Sequence, residues 1–337
     1  MYVQANVDGS SNPVWVATLP NTSGTATVAN ANAVNHIDCV LSGGATLLQN
    51  QHKTGTLSQL RGTKGRMASG SWSWRGHMQG NGAAGSLPDA HPILQAAFGA
   101  KPTIVASTSV TYALGDVNAG IAIYKFIQPS AETHSHQAMW GCMVESLDYE
   151  ISGDLAIISA SGIGGPAIDR NLFSSLDVPS RGGLTAFPAE PGSPVYNGVP
   201  VLGFAGSASF VALGASVDLL SMRVSMRRNV GLQYAYGLLC PTVPGTGRRM
   251  VEVSGTIRDD DGAAVTAFKA LDINKTVTDI TLAMGTTAGN IWTTTLKNVQ
   301  FSGIEYDESS QTRAIRFSGM ANASSVTVRD EITLAIT

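Results

Sequence analysis

Alternation of apolar and polar residues with a period of two dominates the chain. In Ser71-Trp72-Ser73-Trp74-Arg75 the two indole rings fall on one face and the polar side chains on the other, which indicates a strand with one buried face. Comparable stretches recur along the chain, and many end in Gly, Asn or Asp, residues typical of turns. They lie at 103–114, 119–127, 143–151, 155–161, 250–258, 280–283, 291–301, 314–319 and 325–336. The pattern predicts a mainly β protein.

Only two segments have the spacing of a short helix. Residues 92–98 place their large apolar side chains on one face, and Asp89 can cap the start while Gly99 can end the helix. Residues 263–271 follow three aspartates, which suit the positive end of a helix dipole. Each helix is too short to stand alone, so we expect each to pack across a sheet.

The two halves of the chain resemble each other. An offset of 183 positions superposes residues 33–75 on 216–258, and an offset of 157 superposes 147–162 on 304–319. Strand, helix and later strands therefore occur twice in the same order. The first half needs extra residues, for which the polar stretches 76–90 and 129–137 are natural places because loops absorb insertions.

This repeat predicts two tandem domains. We place the first at residues 1–162 and the second at 196–337, each with one short helix. Between them, residues 163–195 are rich in proline and glycine, a composition that indicates a connector and not a core element.

Composition and charge exclude several classes of protein. Charged residues make up 13% of the chain, against about 25% in a typical soluble protein, which favours a surface partly covered by other subunits. The net charge of −3 gives no basic field for binding nucleic acid or an anionic membrane.

The first residues lack the features of a signal peptide, so we expect synthesis in the cytoplasm. Three widely spaced cysteines, Cys39, Cys142 and Cys240, are expected to be reduced and mostly buried.

Three segments resemble chemical motifs, and each lacks a residue that the chemistry needs. His134 and His136 have no carboxylate four or five residues after the second histidine, so a polar loop is the better interpretation. The glycine-rich segment 162–167 has Pro166 where a phosphate-binding helix should begin. The aspartates at 259–261 lack the glutamate that a calcium loop requires. The sequence predicts no enzyme, cofactor or metal site.

An acidic stripe recurs in both halves. Asp148 and Glu150 share one face of a predicted strand, and Glu305 and Asp307 stand at the matching positions of the second half. The simplest interpretation is the solvated face of a half-buried strand.

Residues 65–74 (Gly-Arg-Met-Ala-Ser-Gly-Ser-Trp-Ser-Trp) lead through a loop of small residues into 87–99, which hold Leu-Pro and then His-Pro-Ile-Leu-Gln-Ala-Ala-Phe-Gly. This run, together with residues 139–162, resembles the major tail tube proteins of long-tailed, non-contractile bacteriophages. The resemblance implies two tail-tube-type β-sandwich or barrel domains whose sheets join those of neighbouring subunits around a channel. Family rings have six such units, so a duplicated chain would close a pseudo-sixfold trimer, with a hexamer of chains as the other option.

The resemblance also implies a function. The chain would be a structural virion protein, assembled in the host cytoplasm, whose stacked rings form the tail tube for genome delivery. Its partners would be copies of itself, the tape-measure, tail-terminator and distal-tail proteins, and double-stranded DNA in non-specific passage. Two alternatives stay open: a distal-tail or tail-hub protein of the same fold, and a secreted β-sandwich protein for carbohydrate binding or adhesion. In the last case the tryptophans at 72, 74, 140 and 292 would stack on sugars.

Two groups of site residues follow for a tube subunit. The channel is expected to be acidic or neutral, since a basic wall would bind the phosphate backbone, and the candidates are Asp148, Glu150, Glu305 and Asp307. Ring stacking is assigned to segment 49–64 and its counterpart 232–247, which is too apolar for a solvated loop; the alternative is a strand extension packed within the subunit. The stacking candidates are Arg61, Lys64, Tyr234, Tyr236, Leu238, Leu239 and Val243.

Overall fold

The computed structural model describes residues 12–19, 27–48, 63–117, 119–126, 136–151, 154–170, 173, 187–211, 215–234, 243–258, 263–307 and 314–337. The protein is mainly β, as predicted, and the described part also holds two short α-helices, α1 (His91–Phe98) and α2 (Ala263–Asn274). The first half contains β1 (Val14–Leu19), β2 (Asp38–Ser42), β3 (Ala45–Leu48), β4 (Thr63–Met67), β5 (Gly70–His77), β6 (Thr103–Val105), β7 (Ser109–Ala113), β8 (Gly120–Phe126), β9 (His136–Ile151), β10 (Ile157–Gly164) and β11 (Ile168–Asp169). The second half contains β12 (Gly206–Phe210), β13 (Ala215–Val217), β14 (Leu219–Gln233), β15 (Val243–Arg258), β16 (Thr278–Met284), β17 (Trp292–Tyr306), β18 (Ala314–Ala321) and β19 (Ile332–Ile336).

Local sequence explains most of these elements. In β5 the alternation is realised as predicted, with Trp72 and Trp74 buried and the intervening Ser73 exposed. Helix α1 ends where Gly99 adopts a left-handed conformation and its N–H donates to the carbonyl of Gln95. The prediction for the start of α1 is wrong, because Ala90 occupies the N-cap position and makes no side-chain cap.

One pattern of strand pairing occurs twice. In the first half β9 is shared between two sheets: its first part pairs with β8, and its second part with β10. In the second half β17 is shared in the same way between β16 and β18. The other pairs match as well, since β1–β8, β2–β5 and β5–β10 correspond to β12–β16, β14–β15 and β15–β18. The strands that the sequence offsets superpose thus hold equivalent places, while the exact domain limits stay a prediction.

The strands β2-β5-β10-β9-β14-β15-β18-β17 form one continuous sheet, called here the main sheet. Two cover sheets, β1-β8-β9 and β12-β16-β17, contain the remaining equivalent strands. The largest core cluster combines buried side chains of the main sheet, the cover sheets and both helices. Among the described residues, one face of the main sheet is therefore covered and the other face is open.

A second core cluster lies around the first cover sheet. Trp140 packs against Tyr124, to which its indole N–H donates over 2.6 Å, and against Phe173 and Phe187. The two phenylalanines belong to the predicted connector, and Ile168 of the same segment is also buried in this cluster. The expectation that residues 163–195 contribute nothing to the core is therefore wrong for these three side chains.

The main insertion of the first half is a hairpin of β6 and β7 between α1 and β8. The prediction of one strand over 103–114 is therefore wrong, and this hairpin lies outside the two stretches predicted to hold the extra residues, 76–90 and 129–137. Ser107 has a positive φ of 53°, and the N–H of Thr108 donates to the carbonyl of Val105, which closes the turn. Strand β7 pairs with β19, so the insertion joins the first half to the cover sheet of the second.

Candidate assembly surfaces

The two halves are joined edge to edge through β9 and β14. Six residue pairs run antiparallel from Ser146 opposite Arg227 to Ile151 opposite Met222. On the covered side Tyr149 lies opposite Val224, and both side chains are buried. The hydroxyl of Tyr149 donates to Oγ1 of Thr294 on β17 over 2.9 Å. The junction is therefore part of the core and not a loose contact between two domains.

The two outermost strands of the main sheet, β2 and β17, each have an edge that pairs with no further described strand. These edges are equivalent to the edges of β14 and β9 that pair with each other at the junction. Strand β2 corresponds to β14 and the second half of β17 corresponds to β9, yet within the described residues neither outer edge is paired with a further strand. Val40 on β2 is 47% exposed and Tyr306 on β17 is 46% exposed, whereas Tyr149, the counterpart of Tyr306, is buried. Open edges of this kind are templates for pairing with another chain.

The four acidic candidates lie on the open face of the main sheet or directly after it. Asp148 is on the face opposite the buried Leu147 and Tyr149, and its carboxylate lies 3.2 Å from the guanidinium of Arg223 on the neighbouring strand β14. Asp307 follows β17 and lies 2.9 Å from Arg316 of β18. Glu150 and Glu305 are exposed and line one groove with Arg223 and Arg316. The structure thus brings acids together with arginines, so this face is nearly neutral and carries no continuous acidic stripe.

Two arms extend beyond one end of the main sheet. The first arm consists of β3 and β4 (described residues 45–48 and 63–67), which pair past the last β2–β5 pair, Ser42 opposite Ser71. The second arm is the distal part of the β14–β15 hairpin, described for residues 228–234 and 243–250. These are the segments to which sequence analysis assigned ring stacking, extended toward the sheet.

The structure places one stacking candidate between the two arms. The hydroxyl of Tyr234 donates to the carbonyl of Met67 over 2.7 Å, and the guanidinium of Arg66 lies 5.2 Å from the centre of its ring. Tyr234 therefore holds the two arms side by side within one subunit. This agrees with the alternative prediction, in which the segment is a strand extension packed within the subunit. Lys64 lies on β4 and Val243 on β15. The candidates that fall outside the described residues are Arg61, Tyr236, Leu238 and Leu239.

A buried polar cluster fixes the linker region that precedes the second half. The carboxylate of Asp89 accepts hydrogen bonds from the backbone and side chain of Asn197 and from the amide of Gln79. Burial raises the pKa of Asp89. Gln79 also pairs with Pro200 through an isolated bridge. This network explains why Asp89 does not cap α1, and its closed set of partners indicates a structural role.

The tryptophans, cysteines and histidine that the sequence singled out as candidates for binding or chemistry are buried wherever the structure describes them. The five tryptophans, at 15, 72, 74, 140 and 292, are all buried, so none presents an exposed ring for stacking on a sugar. Cys39 and Cys142 are buried free thiols as predicted, and burial raises the pKa of Cys39 to about 12; Cys240 lies outside the described residues. His136 begins β9, packs on Phe126 and contacts Arg170.

The described residues contain no group of three or more His, Cys, Asp or Glu side chains placed to hold a metal ion. Among the helices that the structure describes, none has the length and apolar character needed to span a bilayer. No protein-family model matches the chain, and comparison with curated proteins finds no match either.

The joined edge between β9 and β14 was not among the sites predicted from the sequence. The two sequence offsets did hold a usable signal, because they pair β2 with β14 and β10 with β18. The offsets identify equivalent strands, but they do not show which strand edges pair with each other in the folded chain.

Proposed function

We propose that this chain is a structural virion protein that assembles through its sheet edges into the rings of a phage tail tube. The observation that carries the proposal is the β9–β14 junction, in which one half of the chain pairs with the other by the same edges that each chain leaves open. A chain whose two halves pair edge to edge can pair with the next chain through the equivalent edges in the same geometry. If each unit is related to the next by the same rotation, the units close into a ring.

Three copies give a ring of suitable size. Each chain contributes the eight strands of its main sheet, so a trimer has about 24 strands, spaced about 4.8 Å apart. With a strand tilt of about 40° the circumference is about 150 Å and the backbone diameter about 48 Å. This leaves room for a DNA duplex after side chains are added.

The open face of the main sheet suits a channel wall. Its exposed positions carry serines together with acids paired to arginines, as in Asp148 with Arg223. The helices and cover sheets pack on the other face, which would lie outside the channel. A wall of balanced charge gives duplex DNA no basic surface to bind, so the duplex can move through it.

The intramolecular junction predicts the register between chains. In the junction Arg223 lies opposite Glu150 and Val224 opposite Tyr149. The two sequence offsets assign an equivalent residue in the other half to each of these four residues. If two chains pair as the two halves do, Val40 of one chain lies opposite Asp307 of the next, and Leu41 lies opposite Tyr306. Pairing would bury the exposed ring of Tyr306 as the junction buries Tyr149.

Cysteine cross-linking tests this register. In the variant V40C/D307C the two new thiols should lie directly opposite each other, at a Cα separation of about 5 Å that a disulfide can span. The control V40C/E305C places its thiols diagonally, at about 7–8 Å, beyond good disulfide geometry. Oxidation of assembled protein should give mainly a covalently closed trimer for V40C/D307C on a non-reducing gel, and little product for the control.

Three results would contradict the proposal. Equal cross-linking of the two variants would refute the register, and a ladder that runs past trimer to hexamer would refute three chains per ring. A chain that stays monomeric at high concentration in native mass spectrometry would refute assembly itself. The tape-measure, tail-terminator and distal-tail partners stay predictions that follow from the family resemblance.

A further inference from the structure

Two arginines lie opposite each other on the covered face of the main sheet. Arg228 on β14 pairs with Arg249 on β15. Arg228 follows the buried Met226 by two residues, and Val251, two residues after Arg249, is buried as well. Alternation therefore directs both arginine side chains to the covered side. Arg228 is only 6% exposed and Arg249 is half-buried, so two positive charges with Cα atoms about 5 Å apart have little access to water.

Three hydrogen-bond donors of this pair have no partner in the described part of the chain. They are Nε and Nη2 of Arg228 and Nε of Arg249, and all three atoms are buried. Removing a charged group from water is costly unless it is paired and hydrogen-bonded. Orphaned buried donors therefore point to a group that completes the site, such as a bound ion.

The charged neighbours do not neutralise the pair. Asp116 forms an ion pair with Arg329. Burial lowers the pKa of Arg249, and the charges of Glu331 and Asp116 oppose that shift. Burial, and then the charge of Arg249, lower the pKa of Arg228, but a guanidinium stays protonated at neutral pH. The three arginines and two acids of this cluster leave a net charge of +1.

The backbone holds one of the two arginines in place. Nη2 of Arg249 donates to the carbonyl of Gly115 over 2.8 Å. The loop that carries Gly115 is fixed to the end of α1, because the N–H of Gly115 donates to the carbonyl of Phe98 and the N–H of Val117 to that of Gly99. A Cβ at position 115 would come within 2.5 Å of the carbonyl oxygen of Gly99, so this close approach requires glycine. The pair is therefore preorganised.

We propose that Arg228 and Arg249 bind a small tetrahedral oxyanion of the phosphate class. Guanidinium groups make paired, charge-assisted hydrogen bonds with such anions, and one anion between the two side chains would satisfy orphaned donors of both. It would also offset their mutual repulsion and tie β14 to β15. The site lies on the covered face, away from the open face assigned to the channel, so its ligand is a free anion and not a phosphate of the DNA. The inference goes beyond the proposed function and does not depend on it.

Thermal unfolding of the full chain tests the site, with inorganic phosphate as the probe. At about ten times its dissociation constant, phosphate should raise the melting temperature by about 2 °C relative to sodium chloride of equal ionic strength. R228M/R249M should lose this shift. The control R227M/R248M removes two exposed arginines from the same two strands and should keep it, because these side chains leave the sheet on the opposite face.

Two further measurements keep the test independent of a folding defect. Without phosphate, R228M/R249M should be at least as stable as the wild type, because apolar side chains replace two buried charges that repel each other. R228K keeps the charge but lacks the planar fork of donors, so it should bind phosphate at least about tenfold more weakly in isothermal titration calorimetry.

Two results would overturn the site. One is an equal phosphate shift in R228M/R249M and in R227M/R248M, since the effect would then be a general effect of salt. The other is a wild-type chain that phosphate stabilises no more than chloride does. A chain that binds phosphate but forms no rings would contradict the proposed function alone, because the anion site is measured on single chains.

Discussion

Single variants should overstate what the buried hydrogen bond between Tyr149 and Thr294 contributes to the free energy of unfolding. It joins β9 of the first half to β17 of the second half, its oxygens are 2.9 Å apart, and both side chains are buried. In Y149F the hydroxyl of Thr294 loses its donor, and in T294V the tyrosine hydroxyl loses its acceptor. Each variant leaves one buried polar group unsatisfied, which costs about 1–3 kcal/mol.

The double variant Y149F/T294V removes both groups and leaves nothing unsatisfied. Its expected loss in the free energy of unfolding is below about 1 kcal/mol, because replacing both partners by apolar groups of similar shape is nearly neutral. The single losses sum to at least about 2 kcal/mol, so the double-mutant cycle should show a coupling of at least about 1 kcal/mol between the two side chains.

Equilibrium urea unfolding, followed by tryptophan fluorescence of unassembled protein, measures all four free energies. T293V is the matched control, since the neighbouring Thr293 is only half-buried and faces away from the core; it should change stability by less than about 0.5 kcal/mol. Strictly additive losses for Y149F and T294V would refute the idea that these side chains meet in a closed, buried contact.

Two further predictions concern pH and the open face. Burial lowers the pKa of His91, whose ring lies 3.0 Å from the hydroxyl of Tyr112, from 6.5 to about 4. The unfolded chain binds this proton first, so the stability that neutral His91 provides is lost as pH falls from about 6.5 to about 4; melting temperature against pH should be steeper there for the wild type than for H91Q, and equal slopes would contradict the assignment. The quadruple variant D148K/E150K/E305K/D307K should lose about 1 kcal/mol or less for each broken ion pair and still form tubes. These tubes should retain duplex DNA at low salt and slow genome ejection from virions, and ejection at the normal rate would place the four acids outside the channel.

The sequence by itself determined what depends on neighbours along the chain. The period of two set which side chains of β5 and β9 face inward, because successive strand residues point to opposite faces. Gly99 set the end of α1, since a left-handed residue costs glycine little. The acidic positions 148 and 305 could likewise be assigned to one face by alternation alone.

Tertiary structure decided which distant elements meet. The pairing of β9 with β14, the ion pair of Asp148 with Arg223, and the packing of Phe187 on Trp140 join residues far apart in sequence. Each depends on strand register and on how buried volume is filled, quantities that local alternation leaves undetermined.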